Sequence, residues 1–271
     1  MGLFCLAGLL AAAGARAWAG TPDSVAPAAL LDHFRRSVYA EPVYIEFDLR
    51  VMPRRGEEHL FRGRLWGARN ERGPIARLEL DAAKGAPVYA LLVQGGPDPA
   101  VWASGAEGGG HRDEAALMRP LAPGAEMTPF DIQMPYLYWL DVEFGGTARM
   151  RGRPADAYLF TPPADFAAAN PGVKSVRAYL DTQYGAFMQA EVAGADGRVA
   201  KTLSLLELRR VGDRWIPRDL DVRNEATRNK TRLSVTAVAV GVPIDPSAFD
   251  PARLGIAAAP PADASLTRVA Q

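Results

Sequence analysis

Apolar and polar positions alternate in short runs over most of the chain, and glycine, proline or aspartate separates one run from the next. The clearest run covers residues 43–51, where every second residue is Val, Ile, Phe or Leu. A period of two predicts a β-strand with one buried face. Few segments of about 10 to 15 helical residues separate the runs, so they predict an antiparallel meander and not a parallel sheet. The further runs cover residues 60–67, 75–80, 88–94, 101–104, 147–151, 155–161, 173–182, 187–193, 200–211, 215–223 and 230–240.

The segment before the first run has the spacing of a helix. Within residues 28–39, four apolar side chains recur at intervals of three and four, and two adjacent arginines face the opposite side. This spacing predicts one amphipathic helix. Pro42 follows and ends it, because proline cannot continue a helix.

Residues 128–141, called the aromatic segment below, show neither the strand pattern nor the helix pattern. They hold the densest group of apolar and aromatic side chains after the first twenty residues, interrupted by Pro129 and Pro135. The prolines predict one or two short helical turns instead of a regular helix. Thr128 is a suitable N-cap for the first turn, with Pro129 at the first helical position.

These elements together predict a fold class. About eleven strands in one antiparallel sheet twist strongly and tend to curl or close. We therefore expect a mainly β (α+β) fold, an open and strongly curved antiparallel half-barrel. The short helices at residues 28–39 and in the aromatic segment are expected to cover its concave face.

The first twenty residues have the features of an export signal. Residues 3–15 are rich in Leu and Ala and uncharged, which fits a signal peptide and is shorter than the about 20 residues that span a bilayer. Ala17-Trp18-Ala19 has the small-x-small pattern of a cleavage site, so we expect cleavage after Ala19. The expected organisation is a signal peptide at residues 1–19, a single domain at 20–254 and a flexible Ala/Pro-rich tail at 255–271.

Composition excludes several functional classes. The chain has 271 residues, with 31 Lys and Arg against 31 Asp and Glu, and one cysteine. Balanced charge gives no field that would attract a phosphate backbone, so we expect no nucleic-acid partner. The one cysteine, Cys5, lies in the predicted signal peptide, so the exported chain would form no disulfide. We expect a soluble monomer.

No arrangement of residues in the sequence indicates catalysis or a bound metal. His33, His59 and His111 lie far apart without metal-ligand spacing. The glycine run at residues 108–110 lacks the spacing of a phosphate-binding loop, and no serine lies in a Gly-x-Ser-x-Gly motif. We therefore expect no cofactor, no metal and no enzymatic activity.

An ordered set of local patterns covers residues 127–254. It begins with Thr128-Pro129-Phe130-Asp131 and continues with the Gly152-Arg153-Pro154 turn and YLFTPP at residues 158–163. Longer stretches at 173–203 and 212–235 follow, and VPIDPSAFDPARL at 242–254 closes the set. In this order the patterns resemble the periplasmic outer-membrane lipoprotein-sorting (LolA-like) family, particularly its uncharacterised branch.

The resemblance implies a half-barrel with helices over a hydrophobic hollow, in a periplasmic protein that shields acyl chains or lipoproteins in transit. Such a carrier needs an apolar hollow and a cover that opens, because exposing an acyl chain costs about 0.8 kcal/mol per CH₂. We expect the aromatic segment to be this lid. The expected ligand contacts are Phe47, Leu49, Leu91, Phe130, Met134, Leu137, Trp139 and Leu180.

Two alternatives remain open at this point. The same scaffold could serve as a protein-interaction or envelope-stress sensor module that binds another envelope protein and transports no lipid. The chain could also be an enzyme whose site forms from residues distant in sequence, since a fold does not fix a function. The predicted ligand contacts would then be ordinary core residues.

Overall fold

A computed structural model of the protein describes residues 27–81, 87–104, 109–212, 214–262 and 265–269. The predicted signal peptide and its cleavage site after Ala19 lie outside the described residues, and so do Gly108 and Asp213. The helices of the described part are α1 (Pro27–Ser37), α2 (Pro129–Gln133) and α3 (Ala164–Ala169), with 3₁₀ turns at Glu114–Met118, Pro135–Tyr138, Pro246–Phe249 and Pro251–Arg253. None of these helices is long and apolar enough to cross a bilayer.

The remaining regular structure of the described residues is one antiparallel sheet. Its fourteen strands are β1 (Val43–Met52), β2 (His59–Asn70), β3 (Gly73–Asp81), β4 (Pro87–Gln94), β5 (Ala100–Ser104), β6 (Gly110–Arg112), β7 (Val142–Met150), β8 (Arg153–Phe160), β9 (Ser175–Asp181), β10 (Ala186–Ala193), β11 (Val199–Val211), β12 (Arg214–Asn224), β13 (Lys230–Val240) and β14 (Thr267–Arg268). The predicted number was about eleven, and the very short strands β6 and β14 account for two of the others.

The strand order shows two meanders joined at their ends. From one edge to the other it is β6-β5-β4-β3-β2-β1-β13-β12-β11-β10-β9-β8-β7, and β14 pairs with β13 beside this path. Strands β1 and β13, from opposite ends of the domain, therefore meet in the middle of the sheet. The sheet is open between β6 and β7, which confirms the predicted open half-barrel.

The concave face of the sheet carries the main hydrophobic core. Alternate residues of β1, from Val43 to Val51, share this core with Leu30, Leu31 and Phe34 of α1 and with the aromatic segment. The predicted helix and the predicted cover of the concave face are thus confirmed. Helix α1 and the aromatic segment also contact each other, because Arg35 Nε donates to the Leu137 carbonyl.

The convex face is covered over β1–β3 by residues 242–262 and 265–269, called the C-terminal strap below. Apolar strap residues such as Phe249 and Leu266 pack against Tyr44 and Trp66, and Trp66 Nε1 donates to the Ala259 carbonyl at 3.1 Å. The flexible tail at residues 255–271 stays a prediction, and the described residues of this stretch lie against the sheet. The apolar residues of the strap are too scattered to show a period. They are buried because they pack against side chains of the sheet.

A buried arginine holds the strap to the sheet. The guanidinium of Arg77, on β3, donates to four strap carbonyls and to Glu79, whose Oε1 also accepts the Ala258 amide at 2.9 Å. Arg77 is 1% exposed and Glu79 is fully buried. Since a buried charge is tolerated only when it is paired and hydrogen-bonded, this network fixes the path of the strap.

Candidate ligand cavity

The sheet separates between two neighbouring strands in its C-terminal half. Strand β10 pairs with β11 only between Gln189 and Ala193, and residues 205–208 of β11 continue without β10 beside them. Strand β12 likewise pairs with β13 only from Asp219 onwards. Residues 205–212 and 214–218, called the tip ribbon below, therefore leave the sheet as a two-stranded arm.

Three β-bulges lie where the strands part. The register shifts leave Met188 of β10, Leu206 of β11 and Arg218 of β12 without a partner. A bulge bends its strand and increases the local twist, and bulges are frequent beside functional sites. Pro217 adds to this effect because it has no N–H to donate to a ladder.

The tip ribbon bends back onto the concave core. Leu208, Val211 and Trp215 pack against that core as partly buried side chains. At the end of the ribbon, Arg214 Nη2 lies 2.8 Å from Glu41 Oε2, in the connection between α1 and β1. The ribbon is thus attached to the sheet at its base and to the α1 connection at its tip.

The space beneath the tip ribbon is a cavity of about 440 Å³. It lies between the ribbon, the β9–β10 turn and the β7–β8 turn. Ligand sites typically enclose about 300–1,000 Å³, so the volume suits a small ligand. Its walls are formed by Met150, Arg151, Arg153, Asp181, Tyr184, Ala186, Phe187, Met188, Gln189, Leu205, Leu206, Leu208 and Trp215.

Most of these walls are apolar, and the charges are grouped on one side. Phe187 and Leu205 belong to the concave core, so the cavity is continuous with it. Leu206 is 38% exposed, so the cavity also reaches the surface. The charged lining residues, Arg151, Arg153 and Asp181, come from the two turns opposite the ribbon.

Asp181 is a buried carboxylate that is fully compensated. Its Oδ2 accepts from Arg153 Nε, and its Oδ1 accepts the amides of Gln183 and Tyr184 at 2.8 and 2.9 Å. The guanidinium carbon of Arg153 lies 4.4 Å from the centroid of the Tyr184 ring. Hydrogen bonding to Asp181 raises the pKa of Arg153 above its ordinary value, so the guanidinium stays charged.

Arg151 spans the opening. It lies in the β7–β8 turn with φ +48, and its Nη1 donates to the carbonyl of Leu205, one residue past the last β10–β11 pair. Across the described residues, no carboxylate lies within ion-pair distance of this guanidinium, unlike that of Arg153. Arg151 is therefore an exposed cation at the mouth of an apolar cavity.

Comparison with solved structures places this geometry in a known fold. A domain described as an outer membrane lipoprotein-sorting protein, from Vibrio parahaemolyticus, superposes with a TM-score of 0.69 at 14% identity, covering 81% of this chain and 94% of that one. The fold is LolA-like. A LolA superfamily protein from Nitrosomonas europaea gives a TM-score of 0.65 at 12% identity, covering 83% and 98% of the two chains.

Three further comparisons bear on the fold and on related sequences. A DUF1329 family protein from Desulfovibrio piger shares the LolA-like fold with a TM-score of 0.66 at 13% identity, covering 79% of this chain and 91% of that one. A family model described as an uncharacterised protein matches residues 148–255. No curated protein matches the chain. The resemblance inferred from the sequence is confirmed at the level of the LolA-like fold.

The eight predicted ligand contacts lie together, but not on the cavity. All belong to the main hydrophobic core on the concave face, and the most exposed of them, Trp139, is 7% exposed. Phe47 shows how closely this core is packed, because a Cβ placed on Gly63 would lie 2.3 Å from Phe47 Cζ. None of the eight lines the cavity, so their role as ligand contacts stays a prediction. The other members are Leu49, Leu91, Phe130, Met134, Leu137 and Leu180.

The aromatic segment has the predicted local structure and lies closed on the core. Its α2 begins with Pro129 at the first position, and Asp131 Oδ2 accepts from the amide and hydroxyl of Thr128 at 2.8 and 2.9 Å. The same oxygen lies 2.8 Å from Lys201 Nζ on β11. Because Asp131 is buried, this ion pair anchors the segment across the concave face.

The rings of the aromatic segment rest on a helix that the periodicity did not predict. Phe166 of α3 lies 5.8 Å from Phe130 and 5.1 Å from Trp139, between ring centroids. Such tilted pairs contribute about 0.5–1.5 kcal/mol each beyond the area they bury. Helix α3 has six residues after two prolines, which is too short to show a helical period.

The cavity residues were missed because bulges change which face a side chain occupies. The sequence did carry a signal, since Leu205 and Leu206 are consecutive apolar residues in an otherwise alternating strand. Ala186, Phe187 and Met188 interrupt the alternation of β10 in the same way. Such interruptions on two neighbouring strands indicate β-bulges, here one in the β9–β10 ladder and one in the β11–β12 ladder.

The three histidines lie apart in the structure. His33 is on α1 beside the β9–β10 turn, His59 begins β2 and is exposed, and His111 is on β6. Over the residues that the structure describes, no three His, Cys, Asp or Glu side chains form a group that could hold a metal.

Proposed function

We propose that the protein is a carrier or binding protein that shields an acyl chain, a lipidated protein or another hydrophobic ligand in the periplasm. The observation that carries the proposal is the apolar cavity of about 440 Å³ beneath the tip ribbon, continuous with the concave core. Burial of an acyl chain gains about 0.8 kcal/mol per CH₂. A pocket that takes up ten methylenes would therefore supply about 8 kcal/mol before the cost of association.

The comparisons support the scaffold part of this proposal. One of the structures sharing the fold is described as an outer membrane lipoprotein-sorting domain. We further propose export with cleavage after Ala19 and a single domain over residues 20–254. The eight predicted contacts are buried and lie off the cavity, so we propose that they meet ligand only when the aromatic segment moves outward.

The test is native mass spectrometry of the full exported chain purified from membranes, combined with titration of a fluorescent fatty-acyl probe. We expect a co-purified mass in the range of a lipid, and saturable uptake of the probe. Repeated recovery of the bare protein, with no uptake of the probe, would contradict the proposal. Uptake that persists after urea unfolding would also contradict it, since it would not depend on the cavity.

A second candidate function has its own observation. Strand β7 forms one edge of the sheet. Leu140, two residues before it, is 99% exposed, and Phe144, on the strand itself, is 49% exposed. An exposed edge strand can pair with an extended segment of another protein. A protein-interaction or sensor module would then bind an envelope protein there. A stoichiometric partner that is lost in L140E, with the cavity empty, would favour this function over lipid transport.

A further inference from the structure

We infer that the cavity takes a single-chain amphiphile with an anionic head group, a carboxylate or a phosphate, and that Arg151 pairs with this head group at the mouth. The inference rests on the proposed function, because it names the ligand class of the same cavity. Four observations carry it: the charge left at the mouth, the charges of the tip ribbon, the size of the cavity and the position of Arg151.

The mouth retains one positive charge after its own pairs are formed. Asp181 is compensated by Arg153 and by two backbone amides, so it does not repel an anion strongly. Arg151 bonds a neutral carbonyl, that of Leu205, and among the described side chains no carboxylate pairs with it. A ligand carboxylate or phosphate would supply the missing counter-charge.

The tip ribbon adds to this positive field. Over residues 205–218 the sequence holds four arginines and two carboxylates. Glu207 is already paired with Arg218 at 2.7 Å and lies 3.8 Å from Arg209. Arg214 pairs with Glu41 at 2.8 Å, so four arginines meet three carboxylates and one positive charge is in excess. A net positive charge near a low-dielectric opening favours anions and raises their rate of association.

The size of the cavity favours one chain. At about 440 Å³ it lies near the lower end of the roughly 300–1,000 Å³ range of ligand sites. A chain that entered between residues 186–188 and 205–208 would contact Met188, Leu206 and Trp215, and its head group would stay at the surface.

Arg151 is positioned to close over such a ligand. A guanidinium presents five N–H donors in a planar fork that fits a carboxylate or a phosphate with two parallel bonds. One of these donors already reaches across the opening to β11. An anion that binds the remaining N–H donors of Arg151 would be held by the same side chain that connects the β7–β8 turn to the tip ribbon.

The experiment measures dissociation constants for dodecanoate, dodecyl phosphate and neutral monododecanoylglycerol by displacement of a neutral fluorescent acyl probe from the full chain. Arg151→Gln removes the charge, and Arg151→Lys keeps the charge without the fork. Arg149→Gln is the matched control, because Arg149 is an exposed arginine of the same hairpin whose Nε also donates to a backbone carbonyl, that of Gly152.

We expect the wild type to bind an anionic probe about tenfold more tightly than the neutral one, and R151Q to lose that preference. R151K should keep part of it, and R149Q all of it. Comparison of the dissociation constants of dodecanoate and dodecyl phosphate shows whether the preferred head group is a carboxylate or a phosphate monoester. Equal binding of neutral and anionic probes by the wild type, or an unchanged preference in R151Q, would overturn the inference and leave the proposed function standing. If the wild type binds none of the three probes, the proposed function fails as well.

Discussion

The two halves of the sheet are built differently. In the N-terminal half, β1, β2 and β3 stay paired along almost their whole lengths, and the C-terminal strap covers their convex face through Arg77. In the other half, β10 and β11 separate next to a bulge on each strand, and among the described residues the convex face carries a small cluster around Tyr179. The first half fixes the shape of the half-barrel, and the second contains an opening into the core.

The largest expected effect on stability comes from removing the contacts between Arg77 and the C-terminal strap. Arg77→Met leaves Glu79 buried with one fewer partner and removes a donor from four strap carbonyls, so we expect a loss of about 3–5 kcal/mol in the free energy of unfolding. Urea denaturation measures it. Arg72→Gln, which removes an exposed pair with Asp98, should cost under about 1 kcal/mol. Similar losses for both variants would mean that the strap contributes little to stability.

The next test separates core from cavity. Leu49→Ala removes a fully buried side chain and should cost about 2–5 kcal/mol of stability, while the folded fraction still takes up an acyl probe. Trp215→Ala should mainly weaken uptake, because the Trp215 ring is partly buried and lines the cavity. If L49A abolishes uptake in molecules that remain folded, Leu49 is a ligand contact in this closed state.

A substitution at the mouth of the cavity should have a smaller effect on stability and a large effect on uptake of the acyl probe. Leu206→Asp places a charge in the mouth and should reduce uptake about tenfold or more, since desolvating a carboxylate beside an acyl chain is unfavourable. Its control is Val199→Asp on the same strand, because Val199 and Leu206 are 40% and 38% exposed. Both variants should lose under about 1 kcal/mol of stability. Equal uptake by the two variants would place the ligand elsewhere.

The smallest effect is a pH dependence at the contact between α1 and the β9–β10 turn. Burial, and then the charge of Arg36, lower the pKa of His33 below 6.5. The unfolded chain therefore binds more protons at this site, so stability falls as the pH drops below 6.5. Asn at this position removes that dependence. Between pH 7.5 and 5.5 we expect the wild type to lose slightly more stability than H33N, by less than about 1 kcal/mol. An NMR titration with a His33 midpoint above 6.5 would contradict the assignment.

Sequence alone predicted the parts of the fold that depend on local periodicity. The period of two in β1 identified the strand and its buried face, and the proline positions identified the short turns of the aromatic segment. The order of the two meanders could not be read from the sequence, because the β1–β13 junction depends on contacts between distant residues. The strap could not be predicted for a related reason. Its apolar residues are buried by contacts with Trp66 and Tyr44, which lie far from them in the sequence.

The candidate site was less predictable than the fold. Predicting ligand contacts from apolar density selected the aromatic segment and the centres of strands, which is where the core of any half-barrel lies. The cavity depends instead on irregularities, the bulges at Met188, Leu206 and Arg218. Arg151 could not be selected either, because its position across the gap follows from a turn with φ +48 and not from a motif.

The most direct test is to photolabel the full chain with a fatty acid that carries a diazirine at the end of its acyl chain, and to map the modified residues by mass spectrometry. We expect labels on the cavity-lining residues of 184–189 and 205–208 and on Trp215, and a strong reduction of these labels in L206D but not in V199D. Labels confined to the aromatic segment, or spread equally over the convex face, would contradict it.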